Sequence, residues 1–318
     1  MDVDLFLHAS RVVIVAGKGG VGKTTVAAAL ARLAASRGMT TLLIEVEGKG
    51  GLAGLFGQPP LSYDETVLAP ATAATAEVRG RTLTPDEALF EYLEDHGLRR
   101  LSRRLVATGA IDVVATSVPG IKDILVLGKV KALERSGRAD LIVLDAPAAG
   151  HAITFLMAAR ALLDAVRVGP VNTQARGVLE LLSDPVRCSV ILVTLPEETP
   201  VNELVETAFA LEDQVGVALG PVVVNARYPR LEGLDVEPSR AAAAAGATLQ
   251  VGEAEALSAA AAFRSARAGL QAEQVARLAE RLPLPQLHLP FLFRADLGPD
   301  DVTALAATLG DQVARAGA

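Results

Sequence analysis

Between Val12 and Thr25 the sequence gathers the residue types best able to handle a phosphate group. An apolar run, Val12 to Ala16, leads into Gly17, Lys18, Gly19, Gly20, Val21, Gly22, Lys23, Thr24 and Thr25, and the last of these open a helical stretch. That order of strand, glycine loop and helix satisfies G-x-x-x-x-G-K-T. Glycines let the backbone curl around an oxyanion, and the N–H groups of the loop and first helical turn then point inward as donors. On this reading Lys23 reaches the β- and γ-phosphates of ATP, and Thr25 faces the α-phosphate. The Thr24 hydroxyl takes a Mg²⁺ position, because a hard cation prefers oxygen ligands. Gly17, Gly19 and Gly22 also spell the dinucleotide fingerprint G-x-G-x-x-G, with Glu45 at the end of the next strand, so an NAD-dependent oxidoreductase is the rival. Lys23 and Thr24 directly after the last glycine favour ATP, since a dinucleotide fold has no need of a phosphate-directed ammonium there. Lysine is scarce in this chain: outside the loop it occurs only at Lys49, Lys122, Lys129 and Lys131.

The elements that must hold such a loop are legible as short apolar runs. Val12–Ala16, Thr41–Val46, Leu141–Leu144, Val190–Leu195, Pro221–Val224 and Leu287–Pro290 are rich in Val, Ile and Leu without alternation, as strands buried on both faces are. Helical stretches such as Thr24–Ser36, closed by Gly38, lie between them. Strand alternating with helix predicts an α/β fold with a doubly wound, mostly parallel sheet whose ligands sit at the carboxyl ends of strands. One P-loop domain over 1–318 is expected. It carries a helical insert at 84–138 and an Ala-rich helical segment at 232–282 before the last strand.

Composition narrows the classes further. The chain has 318 residues, 51% of them hydrophobic, enough for a large core, and a formal net charge of -7. The sequence pI near 5.3 leaves no basic excess for a nucleic-acid backbone. No signal-type start and no run of eighteen apolar residues is present, so a cytoplasmic protein is expected, with membrane contact at most indirect through a client. Cys188 is the single cysteine and lies in an apolar run. That excludes an intrachain disulfide and a zinc site of paired thiolates, and favours an inert buried thiol.

Lys18, directly after the first glycine, makes the loop resemble the deviant Walker A form G-K-G-G-V-G-K-T-T of the MinD, ParA, nitrogenase iron-protein and ArsA-like ATPases. Within that group the chain looks most like the ArsA and Get-type branch, in particular the actinobacterial Get-type paralogues. The run from Leu43 through Glu47 to Gly57 resembles the family's switch I. Pro119 to Asp123 resembles its P-G-x-x-E segment, Asp140 to His151 its switch II, and Val222 to Pro229 the strand whose asparagine reads adenine. The loop after Pro290 is similar to the other wall of the base pocket.

The resemblance implies a dimeric ATP-driven switch, a homodimer or a heterodimer with a paralogue, acting on an unknown protein client. It implies that Lys18 reaches a partner's phosphates, that Asp145 holds a Mg²⁺-bound water, and that Asn225 contacts the base. Glu47 stands where the family has a water-orienting aspartate; one extra methylene displaces the carboxylate by about 1 Å and predicts slow turnover. A weakly active nucleotide-dependent scaffold is the alternative. Some family features are missing. No C-x-x-C pair lies between Asn225 and His288, so no zinc clamp is expected, and one cysteine cannot hold arsenite or an iron–sulfur cluster. Ala149 replaces the family's switch II threonine. The only methionines are Met1, Met39 and Met157, and Arg99, Arg100, Arg103 and Arg104 interrupt the insert, so a Met-rich client groove is not evident.

Overall fold

A computed structural model describes residues 2–46, 50–95, 97, 120–147 and 149–316. Glu47 and Lys49, most of the middle of the helical insert including Pro119, and the side chain of His151 fall outside the described residues.

The described chain runs α1 (Val3–Leu7), β1 (Val12–Gly17), α2 (Lys23–Ser36), β2 (Thr41–Val46), β3 (Thr66–Ala69), β4 (Val78–Leu83), α3 (Pro85–Asp95) and α4 (Ile121–Ser136). It continues through β5 (Leu141–Asp145), α5 (Ala149–Ala165), α6 (Pro170–Leu182), β6 (Cys188–Thr194), α7 (Glu198–Ala210), β7 (Ala218–Leu219) and β8 (Val222–Arg227). It ends with α8 (Pro238–Ala244), α9 (Glu253–Arg281), β9 (Gln286–Pro290) and α10 (Pro299–Arg315).

The strands form one sheet in the order β3-β4-β2-β5-β1-β6-β8-β9, with β7 beside β6. Every pairing is parallel except β3 with β4. β1 is central, hydrogen-bonded to β5 on one side and β6 on the other. Its residues are buried throughout, and they alternate between two cores: Val12, Ile14 and Ala16 face one, Val13 and Val15 the other. This alternation accounts for an apolar run without visible period, because both faces of the strand meet helices. Helices α2 and α10 cover the second core, while α4, α5, α6 and α7 cover the first, where Phe155 is among the largest fully buried side chains.

Three strands were not anticipated: β3, β4 and the two-residue β7. β3 and β4 lie between the second core strand and the helical insert, and β4 reads Val78-Arg79-Gly80-Arg81-Thr82-Leu83, with two arginines in a strand that pairs directly with β2. The charges are absorbed locally. Arg79 pairs with Glu65 at 2.7 Å, and the buried Arg81 stacks its guanidinium 4.3 Å over the Tyr63 ring. Gly80 has no side chain because Leu68 of β3 occupies the space; a Cβ there would lie 2.5 Å from Leu68 Cδ1.

The Ala-rich segment is two helices, not one. α8 ends before Gly246, α9 begins after Gly252, and of α9 only Gln271 and Leu278 are buried. Among the described residues no helix is long and apolar enough to cross a membrane.

Candidate functional site

The carboxyl ends of β1, β2, β5, β6 and β8 meet around the loop that follows β1. Gly17 ends the central strand at such close quarters with β6 that an added Cβ would sit 2.3 Å from the Val193 carbonyl oxygen. Gly22 opens α2 at φ 89°, a left-handed conformation, and its missing side chain leaves room for Asn225 of β8, whose Nδ2 would lie 2.2 Å from a Cβ. Both glycines are required by geometry at these two positions. Gly19 and Gly20 are exposed at the crest of the loop, open to a ligand.

Lys23 lies in the first turn of α2, 7% exposed, and its ammonium donates to the Lys18 carbonyl oxygen at 3.0 Å. The cation is therefore held inside the loop's own curve, at a helix N-terminus that already favours anions. Next to it the Thr24 hydroxyl donates to Asp145 Oδ2 at 2.7 Å, joining the loop to the end of β5. Asp145 is fully buried and in register with Val15 of β1 and Glu45 of β2. A hydroxyl and a carboxylate side by side, both hard oxygen donors, suit Mg²⁺. No group of three or more His, Cys, Asp or Glu gathers for a metal among the described residues; Mg²⁺ bound chiefly by phosphates and water does not need one.

Lys18 is placed differently from Lys23. Its side chain leaves the loop and its ammonium donates to Glu203 Oε1 of α7 at 2.5 Å, with both groups a little over a third exposed. Asn225 supports the loop from below, its Nδ2 donating to the Val21 carbonyl oxygen at 2.9 Å. The next residue, Ala226, is the only non-glycine among the described residues with a positive φ, at 55°. The kink is clamped by the buried Gln271 of α9, whose Oε1 accepts from Tyr228 N at 2.8 Å and whose Nε2 donates to the Ala226 carbonyl oxygen at 3.3 Å. Beyond the kink Tyr228 meets Phe291 and Phe293, each 5.4 Å between ring centroids, with the Arg264 guanidinium 4.7 Å over Phe293. The loop after Pro290 and the end of β8 thus come together as two sides of one aromatic wall.

The structure brings together Gly17, Gly19, Gly20, Val21, Gly22, Lys23, Thr24, Thr25, Asp145 and Asn225, and turns Lys18 aside. Three contributors were not singled out from sequence. Glu203 and Gln271 carry no local motif, and Glu45, noted only beside the dinucleotide fingerprint, is buried with its carboxylate accepting from Gly50 N at 2.6 Å. Burial pushes the Cys188 thiol up to about 12, which keeps it protonated and unreactive.

Comparison with known proteins agrees with this geometry. A family model described as an anion-transporting ATPase matches residues 10–168. The chain belongs to that family. It is 38% identical over 230 residues to the ATPase BagA of Mycobacterium tuberculosis, covering 70% of this chain and 67% of that protein. It is 25% identical over 315 residues to a Halobacterium salinarum protein whose name describes an arsenical pump-driving ATPase, covering 94% of this chain but 44% of the relative. With the ATPase get3 of Schizosaccharomyces japonicus it shares 27% identity over 175 residues, 52% of each chain.

Proposed function

We propose that this chain binds and hydrolyses ATP and works as a nucleotide-driven dimeric switch, either as a homodimer or with a paralogous subunit. The observation that carries the reading is the loop itself. A left-handed glycine opens a helix, a buried lysine is curled into the loop, and a threonine hydroxyl is tied to a buried aspartate at 2.7 Å. Loop amides and Lys23 hold the β- and γ-phosphates and stabilise the charge that develops on the transferred group. Thr24 and Asp145 are the residues that would hold Mg²⁺, directly and through water, and a bound Mg²⁺ supplies further charge neutralisation. Asn225 fixes the loop from below and stands next to the kink at Ala226, and the aromatic wall beyond it is the surface we assign to the base.

The attacking water is the part of the reaction assigned to Glu47. Lys18 acts across a dimer, on the partner's phosphates, once it leaves Glu203. Cytoplasmic action on a protein client, which the resemblance of the motifs implies, completes the reading.

The test is Mg²⁺-dependent ATP hydrolysis by the purified chain beside Lys23→Ala, with the oligomeric state followed in the same samples. Turnover by the parent chain with loss in the variant, and a dimer that forms with ATP, is the expected result. Binding of ATP without turnover in either protein would remove Glu47 from its role, or call for a different partner subunit. Reduction of NAD by any substrate would overturn the reading altogether.

A further inference from the structure

Three of the chain's six lysines, Lys122, Lys129 and Lys131, lie on α4, far from the phosphate loop in sequence. Two of them line a cleft of about 310 Å³ enclosed by α3, α4 and α6, together with Tyr92, Arg135 and Gln174. Lys129 is already neutralised: its ammonium pairs with Glu91 of α3, which also accepts the Tyr63 hydroxyl at 2.5 Å. Lys131 and Arg135 are not. Lys131 donates to the neutral Gln174 Oε1 at 3.0 Å, and among the described residues neither cation has a carboxylate within ion-pair distance.

The backbone makes room for this arrangement. A Cβ on Gly128 of α4 would lie 1.8 Å from Gln174 Nε2, and one on Gly177 of α6 would lie 2.7 Å from Lys131 Nζ. Glycine on each helix thus lets a polar side chain of the other cross it, which brings the amide and the ammonium together in the cleft. Lys131 is half-buried, and holding an ammonium partly out of water with no carboxylate in contact carries a desolvation cost. Burial, and then the neighbouring Arg135, hold the Lys131 ammonium below its ordinary range, and Glu180 of α6, which has no direct contact with it, offsets them only in part.

We propose that this cleft binds a small dianion, a dicarboxylate or phosphate-bearing metabolite, through Lys131, Arg135 and Gln174. Two unneutralised cations match two negative charges, and the volume lies at the lower end of the range for small-molecule sites, too small for a macromolecular segment. The assignment is independent of the nucleotide reading.

Lys131 itself reports occupancy. The rate at which an amine-reactive reagent labels it, resolved by peptide mass spectrometry, is followed with added succinate or inorganic phosphate. Neutral succinamide and sodium chloride at matched ionic strength serve as controls. Because the signal is read at one residue, phosphate bound at the loop near Lys23 does not register. Saturable protection by succinate or phosphate and not by either control is expected, and the probe that protects at lower concentration identifies the chemical source. Arg135→Gln, on the exposed last turn of α4, should weaken that protection by about tenfold, one charge-assisted hydrogen bond. Equal protection by sodium chloride, no protection at tens of millimolar, or protection unchanged by Arg135→Gln would each overturn the proposal.

Discussion

At the scale of single residues the candidate site depends on two absences and one ion pair. Gly22→Ala adds a methyl group 2.2 Å from Asn225 Nδ2 at a left-handed φ, so the loop and its support cannot both keep their places. The variant should fold, since the core is untouched, yet lose binding of a fluorescent ATP analogue, as read by titration beside far-UV circular dichroism. Glu203 makes the opposite case, because its contact holds a side chain away from the site. Both partners are substantially exposed, so the pair is worth at most about 1 kcal/mol. Glu203→Gln should therefore lower the ATP concentration needed for dimerisation by up to about fivefold, as followed by analytical ultracentrifugation. A midpoint unchanged in the variant would mean that Glu203 does not compete for Lys18. Residues such as Lys23 and Thr24 were legible because the chemistry of the loop is local in sequence. Glu203 was not: it meets Lys18 across 185 positions, with no pattern around it to mark the meeting.

At the scale of elements, burial of β9 has a pH signature. His288 is pushed down from 6.5 to about 4 by burial, with Arg227 acting in the same direction, and its Nδ1 has no hydrogen-bond partner among the described residues. The folded chain keeps this ring neutral, whereas the unfolded chain protonates it below about 6.5. Its contribution to stability is thus intact above that pH and lost as pH falls from about 6.5 towards about 4. The difference in melting temperature between the parent chain and His288→Gln should shift in favour of the variant between pH 7 and pH 5, in matched thermal scans. Legibility at this scale followed hydrophobicity. Strands β1, β2 and β5, buried on both faces, announced themselves as apolar runs. β4 did not, because Arg79 and Arg81 look like loop residues until Glu65 and the Tyr63 ring are brought beside them by β3. The break between α8 and α9 follows Gly246 and Gly252, both at positive φ, inside a run whose alanines favour helix throughout.

At the scale of the molecule the loop is a meeting place. Lys23 and Thr24 sit on α2, Asp145 ends β5, the Val193 carbonyl belongs to β6 and Asn225 to β8. A ligand held there senses most of the sheet, so ATP at a hundred times its dissociation constant should stabilise the whole chain by about 2.7 kcal/mol. One cooperative transition moving upward with ATP in calorimetry is the expected outcome. A shift confined to part of the melting profile would show that the sheet does not unfold as a unit.

The strand order also bears on how the chain is made. β1 emerges from the ribosome early, but its two neighbours in the sheet are β5 and β6, and the residue beneath its loop is Asn225. At ordinary synthesis rates Asn225 follows Gly17 by about 10 to 40 s. During that interval the nascent chain carries the phosphate motif while its walls arrive one by one, Asp145 of β5 first, then Val193 of β6, and Asn225 of β8 last. Nucleotide capture is thereby postponed until β8 has been delivered, and bound ATP would mark a chain whose sheet is nearly complete.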